Sequence, residues 1–327
     1  LKEILQLEEA EAEDVNIKYG NACIENNEKG AEEGEKAVYT TSDGRNIEVE
    51  NIQNVIDARV NEILENVKMQ IINSAYGDKL LAGIIITGGG ANMKDMDKAV
   101  QRISEAVESG ESICVYGDYD CDGITSTALL YTYFQDIGAR VMYYIPDRDE
   151  EGYGLNTMAI DRLHSLGVSL IVTVDNGVSA IDEIAYAAEY GMDVVVTDHH
   201  QPRETLPAAV AVVDPHRSDC GYPYKFLCGC GVAFKLICAM EGDLGCTEML
   251  EHFGGIVALG TIADVVELTG ENRSIVKAGL PLLQDSDSVG LATLMDIAGL
   301  SGKKLDSTTV AFGIVPRLNA AGRIGKA

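Results

Sequence analysis

The chain has 327 residues, 46% of them hydrophobic, and its 52 acidic and 25 basic side chains give a formal net charge of −27. This length suffices for two domains that fold without disulfides or a structural metal. The charge excludes a protein that coats nucleic acid through a basic surface. It permits an enzyme that acts on nucleic acid at a cleft filled with divalent cations.

The sequence predicts neither a membrane span nor a signal peptide. No apolar run approaches the ~18 residues that a span requires, and the N-terminus is acidic and amphipathic rather than basic and then apolar. The eight cysteines lack a disulfide framework, and Cys228 and Cys230 are too close for a CxxC zinc site, which indicates reduced thiols in a cytoplasmic protein. The first residue is a leucine, so we expect a fragment.

The first 92 residues have the pattern of an α+β segment. A charge-rich stretch over Glu3–Asp14 predicts a helix, and polar loops surround a short strand near Lys36–Thr41. Apolar residues recur at helical spacing over 51–74, which predicts a long amphipathic helix. A buried strand at Gly83–Ile86 then runs into the glycines at 88–90.

From Asn92 onward the pattern becomes that of an α/β protein. Asn92 is predicted as the N-cap of a helix that ends at Gly110. Continuous apolar strands then alternate with helices, which predicts a parallel sheet with helices on both faces, followed by a helical segment after Gly231. The predicted strands are Ile113–Tyr116, Val141–Ile145, Leu170–Val174, Val194–Val196 and Val210–Val213, and the predicted helices are Thr125–Ile137, Thr157–Leu166 and Ala180–Tyr190.

The carboxyl ends of these strands carry many acidic and imidazole side chains, at the edge where open α/β sheets bind ligands. Each aspartate alone could be a helix N-cap or a turn former. Together, carboxylates at this spacing would repel one another unless they are protonated or neutralised by cations. The residues are Asp118, Asp120 and Asp122 after the first strand, Asp175 after the third, Asp198, His199 and His200 after the fourth, and Asp214 after the fifth.

Several carboxylates with one imidazole suit Mg²⁺ or Mn²⁺, and the histidine favours Mn²⁺. We predict that the metal ligands are Asp120, Asp122, Asp175, His199 and Asp264. Asp175 would bridge two ions ~3.5–4 Å apart, which would activate a water for attack on phosphorus. Asp264 could instead be a cap, since it is a lone aspartate on an apolar helix. Ligation by Cys121 is disfavoured, because period-2 geometry points its thiol away from its neighbours.

Four motifs resemble those of the DHH phosphoesterases: Asp-Tyr-Asp-Cys-Asp-Gly from Asp118, Val-Asp-Asn-Gly from Val174, Asp-His-His from Asp198 and Thr-Ile-Ala-Asp-Val-Val from Thr261. Three further stretches are similar to the RecJ single-stranded-DNA exonucleases: Arg148 with Glu151–Leu155, Leu268–Arg273 and Pro316–Gly325. The resemblance covers about residues 93–327. It implies 5′→3′ digestion of single-stranded DNA, dependent on Mn²⁺ or Mg²⁺, in recombination and repair.

The resemblance also implies roles outside the ligand set. His200 would lie beside the attacked phosphate as a hydrogen-bond donor or proton shuttle, while Asp118 and Asp198 would orient ligands. The implied substrate contacts are Arg148, Arg317 and Arg323, with Asn319 in a supporting hydrogen bond. Arginine suits bidentate recognition of phosphate, and a surface ion pair is the alternative for each of the three.

The N-terminal segment resembles a different family. The strand and turn at Gly83–Ala91, preceded by the long helix, are similar to the nucleotide-site strand and turn of FtsA-type actin-like cell-division proteins. A glycine-rich turn that needs positive φ is the alternative. The family's earlier phosphate loops and its membrane-binding helix have no counterpart, so we expect neither ATP hydrolysis nor membrane attachment. Met93–Ala99 fits both families, and we hypothesise a fusion there, natural or produced in sequence assembly.

The sequence thus predicts an incomplete actin-like fragment over 1–92, a shared seam over 93–99 and a DHH catalytic domain of RecJ type over 100–327. The family's substrate-clamping domain and oligonucleotide-binding barrel would follow, so we expect truncation to impair the exonuclease. One alternative is a DHH phosphodiesterase that acts on short oligonucleotides or cyclic dinucleotides. Another is a non-catalytic fragment that contacts a division protein through its N-terminal part.

Overall fold

The structure, a computed structural model, describes residues 15, 38–43, 45–52, 54–56, 58–59, 93–148, 150–242, 245–286 and 288–323. The chain divides into two compact units, Leu1–Leu81 and Ala82–Ala327. In the first unit, strands β1 (Val38–Thr40) and β2 (Asn46–Glu48) pair antiparallel. Residues 49–52, 54–56 and 58–59 are helical, as the apolar spacing from residue 51 predicts.

Several predictions for the N-terminal part lie outside the described residues. They are the helix at Glu3–Asp14, the continuation of the long helix over 60–74, and the strand and glycine turn at Gly83–Ala91. The strand predicted near Lys36–Thr41 corresponds to β1.

Helix α1 (Met96–Ser109) opens the described part of the second unit. Its N-cap is Asp95, so the prediction of an N-cap at Asn92 is wrong. Asp95 has φ 61°, and its side chain caps no helix amide. Its carboxylate instead pairs with Lys98 at 2.8 Å and with Arg217 at 2.5 Å, a partner 122 residues away that local sequence does not reveal. Gly110, at φ 69°, ends the helix as predicted.

Five parallel strands form the central sheet, and each predicted strand is confirmed to within one residue at either end. The strands are β3 (Ile113–Tyr116), β4 (Val141–Tyr144), β5 (Leu170–Val174), β6 (Asp193–Thr197) and β7 (Ala211–Val213). Their order is β4-β3-β5-β6-β7. Since the chain adds β4 on one side of β3 and β5 on the other, the carboxyl ends of β3 and β5 border the crevice where ligands bind in such sheets.

Helices cover both faces of the sheet, as predicted. Helices α2 (Cys121–Asp136), α3 (Thr157–Ser165) and α4 (Ile181–Glu189) follow β3, β4 and β5 in turn. Alternate strand residues face opposite sides: Ile113 and Val115 pack with α1 and α2, whereas Cys114 and Tyr116 pack with α3 and α4. Burial on both sides explains why the strands read as continuous apolar runs.

The segment beyond the sheet is helical, as predicted. Its helices are α5 (Gly229–Glu241), α6 (Gly245–Ala263), α7 (Gly270–Gln284), α8 (Val289–Ile297), α9 (Ser307–Gly313) and α10 (Val315–Arg323). An apolar cluster joins α6 to α10 and includes Cys121 at the start of α2. Within the described residues, no helix combines the length and apolarity needed to cross a membrane.

Candidate metal centre

The loop between β3 and α2 brings its acidic side chains together because the helix starts early. Helix α2 begins at Cys121, four residues before its predicted start, with Asp120 as N-cap: the Asp120 Oδ1 accepts the Gly123 amide at 2.9 Å. A Cβ at Gly123 would lie 2.6 Å from the Asp118 Cβ, so glycine is needed where the loop folds against the helix. Asp118 is buried in this turn.

The burial of Cys121 in an apolar cluster disfavours ligation by its thiol, although the predicted reason was wrong. Cys121 is the first residue of a helix, so the alternation of a strand does not orient its thiol. The side chain is buried in the cluster that contains Ile314 and Val315. Burial raises the pKa of the thiol, which keeps it protonated and a poor metal ligand.

Asp122 is held by the beginning of another helix. Its Oδ2 accepts the Gly229 amide at 2.6 Å and its Oδ1 accepts the Cys230 amide at 3.0 Å. These are the first two amides of α5, which have no acceptor within their own helix and carry its positive dipole end. Burial and the neighbouring Asp175 nevertheless raise the pKa of Asp122 well above its ordinary value.

Asp175 occupies an unusual backbone conformation directly after β5. Its φ is 61°, in the left-handed region that few residues other than glycine, asparagine and aspartate adopt. Its amide donates to the Thr197 carbonyl at 3.1 Å, which continues the pairing with β6. Burial, followed by the charges of Asp120 and Asp198, raises the pKa of the Asp175 carboxyl well above its ordinary value.

His199 lies at the centre of the acidic side chains. Its Nε2 is 3.1 Å from the Asp175 Oδ1 and 3.9 Å from the Asp122 Oδ2, while its Nδ1 is 3.7 Å from the Asp264 Oδ2. The His199 backbone carbonyl accepts a hydrogen bond from the His216 Nδ1 at 2.6 Å. Sequence reasoning assigned no role to His216, although it follows Asp214 at the end of the fifth strand.

Three groups of side chains each place one potential ligand atom per residue within 4.8 Å of one another. The groups are Asp122, His199 and Asp264; Asp118, Asp120 and Asp175; and Asp175, His199 and His200. The structure therefore brings all five predicted ligands together and adds Asp118 and His200. Asp175 and His199 each belong to two groups, so two neighbouring ions would share them.

Asp198 and His200 form a pair beside these groups. The Asp198 carboxylate accepts the amides of Val178, His199 and His200, and its Oδ1 is 2.7 Å from the His200 Nδ1. Burial opposes ionisation of Asp198, but the bonds to His200 and the amides outweigh it and lower its pKa. The bond to Asp198 raises the pKa of His200, whose side chain is 47% exposed. Asp198 thus orients His200 towards the open side of the site.

Some buried side-chain atoms of the site form no hydrogen bond, and they indicate whether these residues could hold a cation. Within the described part of the chain, the Asp118 Oδ1, Asp175 Oδ1 and His199 Nε2 form no hydrogen bond; the last two lie 3.1 Å apart without hydrogen-bond geometry. A buried polar atom left unpaired costs ~1–3 kcal/mol, more when it is charged. A divalent cation would satisfy all three atoms and offset the repulsion among the carboxylates. Oxygen ligands with one or two imidazoles suit Mn²⁺ and Mg²⁺.

The residues predicted to contact substrate differ in their surroundings. Arg148 is exposed, with its guanidinium 5.0 Å from the centre of the Tyr119 ring, and both line a cavity of about 600 Å³. Arg317 is exposed and donates to the Gly313 carbonyl. The Asn319 Oδ1 accepts the Cys121 amide at 2.8 Å. The side chain of Arg323 lies outside the described part of the structure.

The raised pKa values predict how the stability of the metal-free protein depends on pH. Burial raises the pKa of Asp118 to about 6 and that of Asp214 to about 7, from an ordinary 3.8. A carboxyl with a higher pKa in the folded state binds protons preferentially there. Its contribution to stability is therefore present at low pH and lost as pH rises through the folded pKa. The pKa of Asp198 is lowered, so its contribution to stability is lost as pH falls, but only near and below pH 3.8.

In EDTA we therefore expect a higher Tm at pH 5.5 than at pH 8, by roughly 5–10 °C given about 2–4 °C per kcal/mol for a chain of this size. Thermal unfolding followed by circular dichroism at the two pH values measures the difference. Added Mn²⁺ should raise Tm more at pH 8, since ligands must be deprotonated to bind metal. A Tm that rises with pH in EDTA would contradict the burial of uncompensated carboxyls.

Comparison with known proteins gives two different family matches. Residues 112–261 match the DHH family, N-terminal domain, and residues 2–112 match the MreB/Mbl protein family. The chain is 45% identical over 235 residues to a protein of Bacillus subtilis (strain 168) named single-stranded-DNA-specific exonuclease RecJ, a match that covers 72% of this chain. The chain spans 29% of the length of that relative.

Two solved structures extend the comparison. An exonuclease RecJ bound to manganese superimposes with a TM-score of 0.65 at 39% identity, over 72% of this chain and 59% of the other. RecJ from Thermus thermophilus in complex with Mg²⁺ gives a TM-score of 0.52 at 34% identity, over 72% of this chain and 30% of the other.

The N-terminal match refines one prediction. MreB/Mbl proteins are actin-like, so this match supports an actin-like N-terminal segment, whereas its FtsA type stays a prediction. The two family models meet at residue 112 of one chain, which supports the predicted joining of two families. The chain thus contains a DHH-family domain similar to that of RecJ exonucleases, preceded by a segment that matches the MreB/Mbl family.

Proposed function

We propose that the chain hydrolyses phosphodiester bonds of single-stranded DNA from the 5′ end with two divalent cations. The observation that carries the proposal is the sharing of Asp175 and His199 between neighbouring ligand groups. The similarity to proteins named as single-stranded-DNA-specific exonucleases, and to structures with Mn²⁺ or Mg²⁺, supports the substrate and the metal.

The side chains of the site have different roles in the proposed reaction. Asp122, His199 and Asp264 would hold one ion and Asp118 and Asp120 the other, and Asp175 would be shared between the two ions. When bound, the ions supply an activated water and offset charge on the phosphoryl oxygens. His200 engages Asp198 through Nδ1, so its Nε2 is left to donate to a phosphate oxygen or a leaving group. The bond to Asp198 raises its pKa, which favours the protonated form that this role needs.

The cavity beside the centre supports a nucleic-acid strand as substrate. Arg148 lies over Tyr119, and Arg162 lies 5.7 Å from the centre of the Tyr144 ring; all four residues line the cavity. Guanidinium groups suit phosphates, and aromatic rings suit stacked bases. We also propose Arg317 and Arg323 as phosphate contacts, with Asn319 in a supporting hydrogen bond.

We further propose that the protein has a role in DNA repair and recombination, lies in the cytoplasm, and contacts a division protein through an FtsA-like part. The seven cysteines that the structure describes are free and buried, in line with a reducing compartment. From the sequence motifs we also propose that the actin-like fragment spans 1–92, the shared seam 93–99 and the DHH catalytic domain 100–327.

The test compares single-stranded DNA labelled at its 5′ or 3′ end with duplex DNA and a dinucleotide, each in Mn²⁺ or EDTA. We expect cleavage only of single-stranded DNA, and only when Mn²⁺ is present. A labelled mononucleotide should appear first from the 5′-labelled strand, and a ladder of shortened products from the 3′-labelled strand. Cleavage of the dinucleotide alone would favour a phosphodiesterase of short oligonucleotides, and cleavage in EDTA would contradict a metal-dependent reaction.

A further inference from the structure

Asn319 reaches the start of helix α2 from helix α10, 198 residues away in the chain. Its Oδ1 accepts the Cys121 amide at 2.8 Å. Cys121 is the first residue of α2, so its amide has no acceptor within the helix. The side-chain oxygen of Asn319 takes the place of that missing acceptor.

The amide that Asn319 holds lies between two potential metal ligands. Asp120 and Asp122 flank Cys121, and they belong to different ligand groups. A rotation of the Cys121 peptide would therefore turn a carboxylate in each group. Asp122 has two amide donors from α5, whereas the Asp120 carboxylate caps α2 through Gly123. The position of Asp120 thus depends on the start of α2 remaining in place.

Helix α10 contacts the same loop on both sides of Asn319. A Cβ at Gly322 would clash with the Tyr119 carbonyl oxygen, so the helix backbone lies directly against the loop there. On the other side, the Cys121 side chain packs in the apolar cluster that includes Val315, the first residue of α10. These contacts fix the distance across which the Asn319 hydrogen bond forms.

We propose that Asn319 is a positioning residue that sets the geometry of Asp120 and Asp122 for cation binding through the Cys121 amide. This role is separate from a substrate contact, and it rests on the proposed function, since it concerns the same metal centre. It predicts that loss of the Asn319 oxygen weakens metal binding in the absence of any substrate.

The experiment measures Mn²⁺ affinity of the full chain by isothermal titration, with the electron paramagnetic resonance signal of free Mn²⁺ as a second readout. Asn319→Leu removes the acceptor at similar volume, and we expect affinity to fall ~10–100-fold, as for other residues that orient ligands. Asn319→Asp keeps an oxygen at the same place, and its added negative charge favours a cation, so wild-type or higher affinity is expected. Ala320→Leu, exposed on the same helix, is the matched control and should bind as wild type.

Hydrogen exchange separates positioning from a general loss of structure. In Asn319→Leu the Cys121 amide should exchange faster, with the thermal unfolding of the chain in EDTA little changed. Should this variant fail to fold, Asn319→Ala, which adds no bulk, takes its place.

Wild-type Mn²⁺ affinity in the variant that lacks the oxygen would overturn the assignment, as would an equal loss in Asn319→Asp. A wild-type chain that binds no Mn²⁺ would instead overturn the proposed function, and the positioning role with it.

Discussion

Replacing Asp175 with asparagine is expected to abolish Mn²⁺-dependent cleavage of single-stranded DNA. Asp175 belongs to two ligand groups, so its loss affects both ions. Substitution of residues that merely orient ligands costs ~10–100-fold, and we expect the loss for Asp175 to exceed that range. Asparagine tolerates the left-handed backbone at φ 61°, so the variant should keep its fold.

The same variant should be at least as stable as wild type without metal. Burial and the charges of Asp120 and Asp198 oppose ionisation of Asp175, and a neutral amide removes that conflict. Activity and the Tm in EDTA would therefore change in opposite directions, which a damaged fold cannot produce. Asp296→Asn, an exposed aspartate on α8, is the control and should leave both quantities unchanged. Cleavage that persists in Asp175→Asn would refute the site.

Replacing Gly229 with alanine is expected to weaken metal binding, because the added methyl group would clash with Asp175. A Cβ at Gly229 would lie 2.5 Å from the Asp175 Cβ and 2.6 Å from the Asp175 Oδ1, closer than real side-chain contacts allow. The Gly229 amide also donates to Asp122, so any shift to relieve the clash moves a second carboxylate. We expect a loss of Mn²⁺ affinity of ~10–100-fold and destabilisation of ~1–3 kcal/mol from overpacking.

Gly231→Ala supplies the matched control on the same helix turn. Its Cβ would meet the Leu227 Cδ2 at 3.3 Å, which a side chain can relieve by a small movement. Titration of Mn²⁺ and urea unfolding of both variants measure the contrast. Equal Mn²⁺ affinities in the two alanine variants would show that the approach of α5 to Asp175 is unimportant for binding.

The sheet could be predicted from the sequence because its strands are buried on both faces. Leu170–Val174 is a run of apolar and β-branched residues too short for a helix, and it lies between two helical patterns. The parallel order then places Asp122, Asp175 and His199 at one edge without knowledge of any contact. The proximity of these ligands therefore followed from strand ends alone.

The contacts that hold the ligands could not be predicted, because they come from distant parts of the chain. Asp122 is held by amides 107 and 108 residues away, and the Cys121 amide is held by Asn319 from the last helix. The pairing of Asp95 with Arg217, which displaced the predicted N-cap, is of the same kind. Among these contacts, only the approach of α5 to the ligands has a visible sign in the sequence. Cys228–Gly231 has glycines at the start of an apolar helix, and glycine permits close approach of the backbone to a neighbouring group.

Two divalent cations should bind between Asp122, Asp175 and His199. Crystals soaked in Mn²⁺ test this expectation most directly. Anomalous diffraction at the manganese edge should show two peaks ~3.5–4 Å apart, one beside Asp122 and Asp264 and the other beside Asp118 and Asp120, with Asp175 between them. Crystals of Asp175→Asn should lose at least one peak. No peak within coordination distance of Asp175 and His199 in the wild-type chain would contradict the account.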